Sequence, residues 1–133
     1  MMECLEFHHV GIACSNLQSE VEFYQALGFE LDGGVFEDPI QLVRGAFLLS
    51  KAHRIELLEP MDPVSPAARF VNAPSRIYHQ GFLTKNFVES CKAMRGIGAF
   101  PLSAPAPAVA FDNRMIAFFM MKNRAIIELI EAG

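Results

Sequence analysis

At 133 residues the chain is long enough for one domain, or for two small modules sharing a core. Its composition is 52% hydrophobic and contains no Trp, as in an ordinary globular protein. A net charge of −4 gives no electrostatic case for nucleic acid or an anionic membrane surface as partner.

Glu3 and Glu6 stand where a signal peptide would need an uninterrupted apolar core, and no run has the length of a membrane span, so a cytoplasmic location is expected. Cys4, Cys14 and Cys91 are odd in number and lack metal-type spacing. They read as reduced, mostly buried thiols.

Leu5 to Ala13 alternates as a strand does. Leu5, Phe7, His9, Gly11 and Ala13 share one face; Glu6, His8, Val10 and Ile12 share the other. The adjacent histidines point opposite ways, so only one can serve a given site. Ser15 or Asn16 then caps a helix, with Gln18 placed to complete a capping box behind Ser15. Leu17, Val21, Tyr24 and Leu27 form its buried stripe, and Gly28 ends it. Asp32-Gly33-Gly34 reads as a turn, followed by three short strands near 35–38, 42–49 and 54–59. Pro39 keeps the earliest of them at an edge or breaks it. The first module thus covers residues 1–60. Residues 61–76 are a Pro-rich linker, with Ser65 capping a short helix over 65–71 whose first position is Pro66.

Residues 77–133 repeat the first module. An offset of 70 places His79 on His9, Gly81 on Gly11, Asn86 on Asn16 and Gly98 on Gly28. Phe87, Cys91 and Met94 fall on Leu17, Val21 and Tyr24. At the end an offset of 72 places Ile127-Glu128-Leu129 on Ile55-Glu56-Leu57, which suggests a two-residue insertion near Pro101–Pro107. Turns at Asp112-Asn113 and Lys122-Asn123 separate the last strands. Each half reads β-α-β-β-β, so the fold class is α+β: two small sheets, each backed by one helix, that need each other for stability.

Glu56 and Glu128 are the chemically telling residues, because an acid inside an apolar strand requires something to stabilise its charge. Taken singly, a strand histidine is usually a hydrogen-bonded structural residue, and a carboxylate near a strand end usually reaches solvent. A His and a Glu repeated together in matching strands have no packing reason to persist. His9, Glu56, His79 and Glu128 therefore read as ligands of one metal ion, with the two modules related by a pseudo-two-fold. Two imidazoles and two carboxylates suit a divalent ion of borderline hardness, Zn, Ni, Co, Fe or Mn, and disfavour Ca. Two positions left open would hold neighbouring substrate oxygens, polarise a carbonyl and stabilise an enediolate. His8 and His53 read as surface or outer groups, and Arg44, Arg54, Lys85 and Arg114 as surface charge. Phe111, Phe118, Phe119, Met120 and Met121 read as sheet core and cleft lining.

These features resemble the vicinal oxygen chelate superfamily over nearly the whole chain. Phe7-His8-His9-Val10-Gly11-Ile12 resembles the family's opening strand, with His9 rather than His8 as ligand. Phe23-Tyr24 and Leu27-Gly28-Phe29 resemble its helix-to-turn signature. Arg54-Ile55-Glu56-Leu57, Tyr78-His79 and Ile127-Glu128-Leu129 match the remaining ligand positions. The resemblance implies tandem βαβββ modules forming a metal-containing cleft, built within one chain or across a homodimer. It also implies a metal-dependent isomerase or lyase that removes a proton alpha to a carbonyl, with Glu128 as base and Glu56 as its partner. The substrate would be a small molecule, a thioester or a hemithioacetal. Glu56 is what glyoxalase I carries at the second ligand position, where methylmalonyl-CoA epimerase typically has Gln. The linker and Ala106-Pro107-Ala108-Val109-Ala110-Phe111 look more like the epimerase branch. The alternative is a non-catalytic, resistance-type binding module of the same fold.

Overall fold

The computed structural model describes residues 4–133; Glu3, read above against a leader, lies outside the described residues. In chain order the elements are β1 (Glu6–Ala13), α1 (Leu17–Ala26), β2 (Glu30–Asp38), β3 (Val43–Ser50), β4 (His53–Pro60), a 3-10 turn (Ala68–Phe70), β5 (Ile77–Thr84), α2 (Phe87–Gly96), β6 (Phe100–Pro101), β7 (Ala106–Ala108), a second 3-10 turn (Val109–Phe111), β8 (Arg114–Met120) and β9 (Ile126–Glu131). This is the α+β order of tandem βαβββ modules, with β6 and β7 together in the place of β2. Among the described residues, no helix is long and apolar enough to cross a membrane.

Two compact units result: His9–Tyr78, and the described residues up to His8 together with His79–Gly133. In the first, the strand order is β2-β3-β4-β1. β4 is antiparallel to β3 and parallel to β1. Helix α1 covers one face, where Leu17, Val21 and Cys14 pack on Ala46, Leu48 and Leu57, with Ile12, Tyr24, Phe29 and Ile55 at the margin. In the second unit the order is β5-β9-β8-β6, with β7 also on β8. Met94 of α2 packs there with Ala117, Phe119 and Leu129, beside Phe82, Phe87, Cys91 and Ile127.

Local details depart from the expectations in instructive ways. Asn16, not Ser15, caps α1: its Oδ1 accepts the Ser19 N–H at 2.9 Å. Gln18 instead donates to Glu22 Oε1 at 3.0 Å, one helical turn ahead. Glu59 reaches over from β4 to accept the Leu17 N–H at 3.0 Å, satisfying another orphan donor of the first turn. Leu27 is not in the buried stripe; the helix stops at Ala26 and Leu27 is 61% exposed. Gly28 does end the turn, with φ at +101°, which a side chain would disfavour. Cys4 is exposed, Cys91 is half-buried and only Cys14 is fully enclosed. The expected helix over 65–71 shrinks to the 3-10 turn, with Ala68 N–H on the Ser65 carbonyl at 3.0 Å.

Asp32-Gly33-Gly34 is not a turn between strands. It lies inside β2, where pairing with β3 jumps from Asp32↔Phe47 to Phe36↔Gly45, two extra residues on the β2 side. Gly33 takes φ +83° there, so the glycines serve a bulge. The repeat is also sharper than the sequence suggested. Glu30↔Leu49 and Asp38↔Val43 correspond to Phe100↔Met120 and Ala108↔Arg114, so the offset is still 70 across Pro101–Pro107. It becomes 71 by β8 and 72 by β9, as Leu48↔Ile55 against Phe119↔Ile127 shows. One residue is therefore added in the turn before β8 and one in the β8–β9 turn.

Leu57 and Leu129 are fully buried at equivalent places in the two units. Truncation of either to Ala should cost about 2–5 kcal/mol in denaturant unfolding, since each leaves a cavity under its helix. Burial pushes the Cys14 thiol up to about 12, with Glu20 and Glu59 adding to the shift. In the unfolded chain that thiol ionises near its ordinary value, so the native state binds more protons across that interval. The Cys14 contribution to stability is thus complete below about pH 9 and is lost progressively towards about pH 12. A thiol reagent at neutral pH should label Cys4 promptly and Cys14 only on unfolding.

Candidate metal centre

In each unit the helix takes one face of the sheet, and a histidine and a glutamate stand on the other. Ile55 and Leu57 point at α1, so Glu56 between them must point away. Ile127 and Leu129 do the same towards α2, which turns Glu128 to its opposite face. His9 and His79 lie on those same faces, each two residues before a glycine. Gly11 sits directly across from Glu56, and Gly81 directly across from Glu128. A glycine beside each acid leaves no side chain in the way, so the carboxylate can lean along the parallel strand to the histidine.

The resulting contacts are nearly the same. His9 Nε2 lies 3.1 Å from Glu56 Oε1, and His79 Nε2 lies 3.2 Å from Glu128 Oε1. All four residues are buried, at 0% exposure for His9, 4% for Glu56, 2% for His79 and 3% for Glu128. Both are ion-pair distances; that from His9 also allows Nε2–H to donate to Glu56 Oε1, whereas the His79–Glu128 contact lacks hydrogen-bond geometry. Two ligand atoms each about 2.1 Å from one ion, at a right angle, would also stand about 3.0 Å apart. Each pair therefore has the spacing and the nitrogen–oxygen composition that two neighbouring ligands of a borderline divalent cation require.

An aromatic ring backs each histidine. Phe47 meets the His9 ring edge-on at 5.5 Å between centroids, and Phe118 meets His79 at 5.4 Å. Both phenylalanines lie opposite the glutamate of their unit, as Phe47↔Glu56 and Phe118↔Glu128. Phe47 escaped the sequence reading, and Phe118 was expected among the sheet core and cleft lining without a link to His79. The signal was present, since the two are 71 residues apart in a repeat whose offset runs from 70 to 72. His8 turns the other way, against Phe111 at 5.4 Å, and His53 is exposed at the start of β4. Neither joins a pair.

The chain belongs to the glyoxalase/bleomycin resistance protein/dioxygenase superfamily, whose model matches residues 8–118. Within it, the chain is 27% identical over 127 residues to the ethylmalonyl-CoA/methylmalonyl-CoA epimerase of Cereibacter sphaeroides, spanning 92% of this chain and 94% of that protein. The methylmalonyl-CoA epimerase of Mycobacterium tuberculosis superposes with a TM-score of 0.83 at 26% identity, covering 100% of this chain and 93% of the other. A variant of the Streptomyces coelicolor methylmalonyl-CoA epimerase, in complex with 2-nitronate-propionyl-CoA, gives the same score and identity over 98% and 99%.

Removing His9 takes one partner from a buried carboxylate. His9→Ala should therefore cost about 1–3 kcal/mol in the metal-free protein, measured by denaturant unfolding, and His79→Ala a similar amount.

Proposed function

We propose that this chain is an epimerase acting on an acyl-CoA thioester with a proton alpha to its carbonyl, and that His9, Glu56, His79 and Glu128 together hold one divalent metal ion. The observation that carries the metal reading is the duplication: each of the four residues is buried and offers one ligand atom, and each unit contributes a His and a Glu of like geometry. The donor set suits Zn, Ni, Co, Fe or Mn. The substrate class rests on the likeness to epimerases of methylmalonyl-CoA, one of them bound to a CoA-linked nitronate.

A bound divalent ion would supply positive charge beside the substrate's carbonyl oxygens and lower the cost of negative charge there. The chain's own residues handle the proton. Glu128 takes the α-proton as the C–H bond breaks and its electrons spread into the thioester carbonyl. Glu56, its partner, carries a proton from solvent back to the same carbon. With the ion bound, His79 and His9 would hold it through Nε2, and the 3.2 and 3.1 Å contacts would be spacings between neighbouring ligands, leaving each carboxylate a second oxygen for the proton. Burial of the acids keeps bulk water from competing for the proton.

Glu56 favours a second reading, glyoxalase-type isomerisation of a hemithioacetal, because glyoxalase I carries the same residue there. Incubating the metal-loaded protein with methylmalonyl-CoA in deuterium oxide separates the two. Epimerase activity predicts deuterium at the α-carbon, followed by mass spectrometry, with no turnover of a methylglyoxal–thiol adduct. Glu128→Gln should slow that exchange by about 10²-fold or more while retaining most of the metal. Exchange at the wild-type rate in that variant would contradict the assignment of the base.

A further inference from the structure

Arg76, the last residue of the linker, is fastened to the first unit at three points. Its carbonyl accepts the Ala13 N–H at 2.8 Å. Its Nη1 donates back to the Ala13 carbonyl at 3.0 Å. Its Nη2 meets Glu20 Oε2 on α1 at 3.1 Å. The neighbouring Cys14 N–H is held from the other side by the Leu58 carbonyl of β4 at 2.9 Å, so the end of β1 is fixed where Arg76 grips it.

The place of this clasp in the chain gives it meaning. Ala13 follows His9 by four residues on β1, and Arg76 precedes His79 by three. Three residues span about 10 Å at most, so the point where Arg76 is pinned limits where His79 can go. Between the 3-10 turn and Arg76 the backbone hydrogen bonds of the linker are local, Val71 N–H to the Ala68 carbonyl and Ala73 N–H to the Phe70 carbonyl, both at 3.3 Å. Arg76 is the linker residue whose backbone and side chain both bond to β1, with the side chain also on α1.

We propose that Arg76, braced by Glu20, is a positioning residue for His79: the clasp fixes where β5 leaves the first unit and so removes the entropy that delivering His79 to the ion would otherwise cost. The inference rests on the four-ligand reading above. The guanidinium suits the task because its planar fork grips a carbonyl and a carboxylate at once, which an ammonium cannot match.

Cobalt(II) binding, followed by visible absorption, tests it alongside the melting temperature of each metal-free variant. Arg76→Ala should weaken cobalt binding about tenfold, at the lower end of what outer supports of metal ligands contribute. Glu20→Gln should weaken it less, and Arg76→Lys should recover part of the loss. Lys92→Ala, which removes an exposed ion pair with Glu89 on α2, should leave the affinity unchanged. Wild-type affinity in Arg76→Ala and Glu20→Gln, with binding lost in His79→Ala, would overturn the positioning role and leave the clasp as a stabilising contact only. Wild-type affinity in His79→Ala would overturn the four-ligand reading itself, and the inference with it. Should Arg76→Ala not fold, Glu20→Gln and Arg76→Lys decide the matter by the same criterion.

Discussion

The contact between an imidazole Nε2 and a glutamate Oε1, made once in each unit at 3.1 and 3.2 Å, is the constraint around which both units are arranged. A carboxylate with 3–4% exposure is costly unless its charge is met, and here each is met by a histidine on the parallel neighbouring strand. That requirement determines much else. It places a residue without a side chain, Gly11 or Gly81, across from each acid, and sets an aromatic ring, Phe47 or Phe118, against each histidine. Replacing a pair by well-packed apolar residues would relieve the cost, so keeping it twice points to use rather than stability.

Strand alternation converts this local chemistry into architecture. Because Ile55 and Leu57 must cover α1, and Ile127 and Leu129 must cover α2, the acids between them have no choice of face. A slip of one residue would send the glutamate into the helix-packed core and an isoleucine out of it. Hydrophobic packing against the helix and the direction of the carboxylate are therefore a single decision, and fully buried Leu57 and Leu129 lock it.

The parts legible in the sequence were those set by one residue's own chemistry. Gly28 and Gly98 stop their helices with positive φ, and the repeated His and Glu stand out against apolar neighbours. Features set by a partner across the sheet were not legible. Asp32-Gly33-Gly34 carries every mark of a turn, yet pairing of β2 with β3 on both sides of it keeps the strand continuous and makes it a bulge. Pro101 to Pro107 looked like the site of an insertion because proline breaks strands, whereas the register places the two added residues in turns on either side of β8. Phe47 was passed over because an aromatic in an apolar strand reads as core until its partner is known. Asn16 beat Ser15 as cap because the helix begins at Leu17, a boundary that the Glu59 carboxylate helps to fix from a distant strand.

The chain belongs to the glyoxalase/bleomycin resistance protein/dioxygenase superfamily and is similar to methylmalonyl-CoA epimerases, which supports the epimerase reading proposed above. The central claim is that both His–Glu pairs serve the same ion. X-ray absorption spectroscopy of the protein loaded with one equivalent of zinc or cobalt addresses it directly, because outer-shell scattering counts the imidazoles on the metal. The account predicts two imidazoles and a remaining shell of oxygens. A single imidazole, or a second equivalent bound in the same way, would contradict it.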